Sequence, residues 1–127
     1  MSNILIVEDS VDLSQMYVQL FAMSRHDVTL ITTGKNIDVV IENIKPDVIL
    51  LDIYLGGEDG RDICREIKQT HKNIPVIMVS VSMELKEKSI ACGADDYIEK
   101  PFEIMLFTSK VIRWAKRYQQ VQFDLAI

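Results

Sequence analysis

The sequence predicts an α/β protein: a doubly wound, five-stranded parallel sheet with helices on both faces. Three observations predict it. Four short β-rich runs, "NILIV", "DVTLI", "DVILLD" and "IPVIMVS", recur along the chain, and three of them are apolar without alternation, as strands buried on both faces are. Helical segments separate the runs, and parallel neighbours need such crossovers, which are right-handed. The 127 residues, 48% of them hydrophobic, suit one domain with enough chain to bury a core.

The elements follow in order. "NILIV" leads into a helix over residues 10–24, where Leu13, Met16, Tyr17, Leu20 and Phe21 share one face and Ser10 is placed as the cap. "DVTLI" is the second strand. Residues 35–45 repeat the helical spacing with Ile37, Val40, Ile41 and Ile44, and Pro46 stops them. After "DVILLD" a third helix runs from Gly60 to Lys72 with Ile63, Cys64 and Ile67 on one face. "IPVIMVS" gives way to a short helix ending "ACGA", where Gly93 supplies a left-handed cap, and then to a brief strand near Tyr97. A long last helix follows Pro101, with a core stripe of Ile104, Phe107, Val111 and Ala115. Met105, Ile112 and Trp114 fall outside that stripe and read either as a dimer or partner face or as packing for the tail. The tail itself, "QQVQFDLAI", loses the helical pattern and is expected to fray or to begin a linker.

Composition excludes several classes. A net charge of −5 and a pI near 5.0 argue against a nucleic-acid surface in this segment, which would need a basic patch. The apolar runs are far shorter than a bilayer span, and "MSNILIV" lacks the basic-then-apolar layout of a signal peptide, so the expected location is the cytoplasm and no membrane partner is expected. Cys64 and Cys92 form no CxxC and have no nearby His pair; they read as two buried thiols on helices.

Ligands of an open parallel sheet bind beyond the carboxyl ends of its strands. Those ends carry Glu8 and Asp9 after the first strand, Asp52 after the third, Ser80 after the fourth and Lys100 after the fifth. Like charges about 4–5 Å apart repel by roughly 3–4 kcal/mol at an effective dielectric near 20, so three acids at one edge need a cation or must take up protons. A hard divalent ion such as Mg²⁺ prefers a few carboxylates plus water and phosphate oxygens. The acid pair is therefore expected to be half of a metal site. Taken singly, Asp9 or Ser10 reads equally well as a helix cap, Asp52 as a loop acid before "GGEDG", and Lys100 as a solvated lysine. Together, with a hydroxyl at the remaining strand end, they read as one site.

These residues resemble the receiver domains of two-component response regulators. "ILIVEDS" looks like the acidic metal-binding start, "PDVILLDIYLGGEDG" like the phosphoacceptor strand and loop, "IPVIMVS" like the strand ending in the switch hydroxyl, and "GADDYIEKPF" is similar to the family's most recognisable stretch. The resemblance covers Asn3 to Arg117. It implies a flavodoxin-like receiver fold with strand order 2-1-3-4-5 and helices divided three and two, over residues 1–120, with 121–127 as a tail or the start of a linker. It implies Asp52 as the nucleophile that forms an aspartyl phosphate. Glu8, Asp9, Asp52 and the Tyr54 backbone carbonyl would hold Mg²⁺, and Lys100 and Ser80 would meet the phosphoryl oxygens. Tyr97 would be the switch aromatic, and the Lys100–Pro101 bond would be cis. The implied partner is a sensor histidine kinase or a phosphotransfer protein, and the implied output is a changed surface of the fourth helix, fifth strand and fifth helix, through which a homodimer could also form.

Several positions depart from the family pattern. Glu8 replaces the commoner aspartate, Val81 stands where a small residue is usual, and Gly56 stands where proline is frequent, which is expected to loosen the loop. The stretch from Ser80 to Tyr97 is short, which bears on the fourth helix. Tyr54 and Ser82 occupy the two positions that influence hydrolysis of the phosphate, and the Tyr54 ring is expected to limit water approach. A flavodoxin-like cofactor binder is disfavoured because "EDSVDLS" would repel a flavin phosphate. A haloacid-dehalogenase-type phosphatase would want a second acid where Tyr54 stands. A receiver-like docking module that works without phosphorylation is the remaining alternative.

Overall fold

The computed structural model describes all 127 residues, Met1–Ile127. Five parallel strands form one sheet: β1 (Asn3–Val7), β2 (Asp27–Ile31), β3 (Val48–Leu51), β4 (Val76–Ser80) and β5 (Asp96–Glu99). Their spatial order is β2-β1-β3-β4-β5, as the resemblance implied, and β1 pairs with β3 in the register Ile4↔Val48 to Val7↔Leu51. The helices are α1 (Val11–Ala22), α2 (Ile37–Ile44), α3 (Gly60–Thr70), α4 (Leu85–Ala91) and α5 (Ile104–Ala126).

The unbroken apolar runs place side chains on both sheet faces. Leu5, Val7, Ile49, Leu51, Val76 and Met78 point to one core, where they meet α2, α3 and α4 through Ile37, Ile41, Ile63, Cys64, Ile67 and Leu85. Ile4, Ile6, Val48, Leu50, Ile77 and Val79 point to the other, against Tyr17 and Phe21 of α1 and Phe107, Val111 and Ala115 of α5. The three-and-two division of helices follows. Each fully buried Leu or Ile contributes roughly 1.5–3 kcal/mol, so these two layers hold the sheet ends in place.

Local chemistry sets the helix ends. Ser10 Oγ accepts from the Leu13 N–H at 3.3 Å and starts α1, as its position predicted. Lys45, disfavoured from helical geometry by the following Pro46, turns left-handed at φ 54° and ends α2. Gly93 takes φ 86° after α4, with its N–H donating to the Ile90 carbonyl at 3.1 Å and that of Ala94 to Ser89 at 3.0 Å. At Gly60 the constraint is space: a Cβ there would lie 1.8 Å from the Asp52 carbonyl oxygen, so only glycine lets α3 begin against the end of β3.

Three expectations change. The tail is helical: α5 continues to Ala126 because Trp114, Tyr118, Val121 and Leu125 keep one stripe and the intervening glutamines are good helix formers. Ile104, expected in the core stripe, is 52% exposed because it opens α5 before the helix reaches the sheet; the buried stripe starts at Phe107. "GGEDG" is more than a loop, since Tyr54–Leu55 pairs antiparallel with Glu58–Asp59 in a short hairpin. Ile112 and Trp114 pack partly against the α1/α5 core, and the Trp114 indole donates to Asp96 at 2.8 Å, whereas Met105 stays exposed. The Lys100–Pro101 bond is cis. Cys64 and Cys92 are buried free thiols, the first on α3 and the second capping α4; Cys64 contacts the Cys92 carbonyl at 3.4 Å. No helix is long and apolar enough to cross a membrane.

Candidate functional site at the carboxyl edge

Four strands deliver the polar groups of the carboxyl edge. Glu8 continues β1 by one residue, its N–H donating to the Ile31 carbonyl at 2.9 Å, and its Oε2 accepts from the Ser10 N–H at 3.2 Å. Asp52 follows β3 and accepts from the Tyr54 N–H on Oδ1 at 3.0 Å. Lys100 follows β5, anchored by its N–H on the Ser80 carbonyl at 2.9 Å. Its ammonium bridges the two acids, 2.7 Å from Asp52 Oδ2 and 3.2 Å from Glu8 Oε1. With Glu8 3% and Asp52 9% exposed, these charges are poorly screened and depend on the lysine. Beneath them, burial together with the Glu8 and Asp52 charges pushes the Tyr17 phenol up.

The sequence sets three acids at this edge; the structure gathers two of them around Lys100 and gives the third a different partner. Asp9 Oδ2 accepts from the Gly56 N–H at 2.6 Å, and no three acids, histidines or cysteines surround one point. Gly56 was expected to loosen the loop beside Asp52. Instead its N–H, which a proline would lack, ties the hairpin to β1's acidic end.

Ser80 is fully buried at the end of β4, where its Oγ accepts from the Ser82 N–H at 3.4 Å. Tyr97 lies opposite Met78 in the β4–β5 register, two steps before Ser80, half-buried with the Lys110 ammonium 5.7 Å from its ring centre. Val81 is exposed at the rim.

Sequence reasoning singled out Tyr54 and Ser82 but missed what joins them. The Tyr54 hydroxyl donates to Ser82 Oγ at 3.2 Å, the Lys88 ammonium donates to the same oxygen at 2.6 Å, and Ser82 donates onward to the Met83 carbonyl at 2.9 Å. The hydrogen bond to Ser82 and the charge of Lys88 hold the Tyr54 phenol below its ordinary value. Lys88 lies one turn after buried Leu85, so its inward reach was legible only once the start of α4 was known.

The profile of the family described as Response regulator receiver domain matches residues 4–112. Among curated proteins the chain is similar to the Transcriptional regulatory protein BaeR of Escherichia coli O6:H1, with 35% identity covering 94% of this chain and 52% of BaeR. It is similar also to the Heme response regulator HssR of Staphylococcus epidermidis, with 34% identity covering 94% and 54%. The chain spans about half the length of these curated relatives. Among solved structures it is similar to the receiver domain of the Francisella response regulator 1452 (TM-score 0.82, 28% identity, 92% and 98% covered). The BeF3-activated N-terminal receiver domain of Klebsiella pneumoniae RstA is also similar (TM-score 0.81, 25% identity, 89% and 97% covered). With the profile matching most of its length, the chain belongs to the response regulator receiver domains of two-component signalling.

Proposed function

We propose that the domain accepts a phosphoryl group on Asp52 from a sensor histidine kinase or a phosphotransfer protein, in a Mg²⁺-dependent reaction. The observation that carries this reading is the buried Asp52 carboxylate in contact with Lys100 at 2.7 Å, beside Glu8. An Asp52 oxygen bonds to phosphorus as the bond from phosphorus to the donor breaks, and the electron pair leaves with the donor. Lys100 then exchanges its contact with the carboxylate for the phosphoryl oxygens, and the Ser80 hydroxyl donates to one of them. A loose phosphoryl-transfer transition state is stabilised chiefly by such positioning and by cations.

The donor set suits Mg²⁺. Glu8, Asp9 and Asp52 supply hard oxygens, and three carboxylates against one ammonium leave the edge with a formal net charge of −2. These acids and the Tyr54 carbonyl would hold the ion, which would neutralise charge on the phosphoryl group. Tyr97, with the surface of α4, β5 and α5, would carry the change outward by shifting between two states. A homodimer through that surface belongs to the same reading.

The test is intact mass after incubation with Mg²⁺ and acetyl phosphate, with Asp52→Ala as control. Wild type gains one phosphoryl group and the variant none. No gain, with acetyl phosphate or with a panel of histidine kinases, would sink the reading in favour of a docking module. Tyr54 shapes the lifetime: anchored through Ser82 to Lys88, its ring shields the acceptor from water. Tyr54→Asn is expected to lose phosphate several-fold faster, and equal or slower loss would refute the shielding.

A further inference from the structure

Asp9 is the acid that Lys100 does not serve. Lys100 contacts Glu8 and Asp52, whereas Asp9 Oδ2 takes the Gly56 N–H at 2.6 Å, shorter than any other bond from a backbone N–H to a side chain in the domain. A backbone N–H on an ionised carboxylate makes a charge-assisted bond, roughly twice as strong as a neutral one. The fit is close: a Cβ at Gly56 would stand 3.0 Å from the same oxygen, so glycine brings donor and acceptor together without crowding. The bond joins positions 47 residues apart and links the end of β1 to the hairpin that Tyr54 opens.

We propose that the Gly56 N–H is a positioning group that holds Asp9 in reserve, so that Mg²⁺ must break this bond to gain Asp9 as a ligand. The proposal rests on the Mg²⁺ reading above. Two consequences follow. Affinity for the ion is lowered by the bond that has to be given up. Cation binding is also felt at the hairpin, because its tip is released when Asp9 turns inward.

The first measurement uses wild-type protein, isotopically labelled, titrated with Mg²⁺ alone and followed by the Gly56 amide signal. The Gly56 proton is expected to move upfield and to exchange faster with solvent as the site saturates. If Asp9 instead serves the ion with its other oxygen, the Gly56 amide stays still while signals of Asp52 and Glu8 shift, and the proposal is overturned. The second measurement is calorimetric. Gly56→Pro lacks the donor and is expected to bind Mg²⁺ roughly fivefold tighter than wild type, a change of about 1 kcal/mol. Gly56→Ala keeps the donor and falls between the two. Equal affinity in wild type and Gly56→Pro would overturn the latch and leave the metal reading intact. Absence of saturable Mg²⁺ binding in all three proteins would remove the metal reading, and the latch with it.

Discussion

The two edges of the sheet meet the same problem, polar groups at the ends of buried strands, and solve it in opposite ways. At the amino edge the groups pair through hydrogen bonds to neutral partners. Asp47 Oδ2 accepts from the Asn3 N–H at 2.8 Å and from the Gln119 amide at 3.0 Å, the Ser2 N–H donates to His26 at 3.1 Å, and the Gln119 amide also reaches the Met1 carbonyl at 2.8 Å. β1, β2, β3 and α5 are thus stitched together by hydrogen bonds. At the carboxyl edge two buried carboxylates share one lysine and a third is held by a backbone N–H. The first arrangement is satisfied as it stands. The second is held just well enough to fold, and its charge imbalance is what a cation and a phosphoryl group can relieve.

The largest contrast should come from Asp52→Asn. Phosphoryl gain is expected to vanish, while thermal stability in Mg²⁺-free buffer stays at or above that of wild type, because one of two facing buried charges is removed. A melting temperature well below wild type would contradict the account of a frustrated edge. Lys100→Ala should act the other way, leaving Glu8 and Asp52 facing each other without a cation. Chemical denaturation is expected to show a loss of about 3–5 kcal/mol. Millimolar Mg²⁺ should restore much of it, and a loss that Mg²⁺ does not touch would argue that Lys100 acts only by packing.

At the amino edge, Asp47→Ala removes the shared acceptor and leaves the Asn3 N–H without its side-chain partner. Stability is expected to fall by about 1–2 kcal/mol with phosphoryl gain unchanged. A change in phosphorylation would show that the edges are coupled. The smallest effect concerns His26, whose burial, with the N-terminal ammonium and Lys116 nearby, lowers its pKa below 6.5. Its Nδ1 accepts from the Ser2 N–H, so the folded state favours the neutral ring. Below about pH 6.5 the unfolded chain binds the proton more readily, so stability falls as pH drops from there through the lower folded value. Melting curves across that window should show a decline for wild type that His26→Gln lacks.

How much of this was legible depends on how local each cause is. The apolar runs, the Ser10 cap, the left-handed Gly93 and the Pro46 stop are settled within a few residues, and the structure has them where periodicity and turn chemistry put them. The identities at the strand ends were legible too, because an open parallel sheet presents those positions together. Ile104 was misjudged because periodicity tells which face of a helix is apolar, but not where along its length the sheet lies beneath it; the tail was misjudged because the stripe from Trp114 through Tyr118 to Val121 and Leu125 is sparse among polar residues.

By itself the sequence determined the doubly wound sheet, its two-sided core and the residues that gather at its carboxyl edge, because burial patterns and β-α alternation are written in neighbouring positions. Only the tertiary structure decided how those residues divide their charge. Lys100 bridges Glu8 and Asp52 across 92 and 48 residues, Gly56 claims Asp9 across 47, and Lys88 completes the Tyr54–Ser82 contact from α4. A hydrogen bond fails within an ångström, and that precision comes from packed elements rather than from residue type.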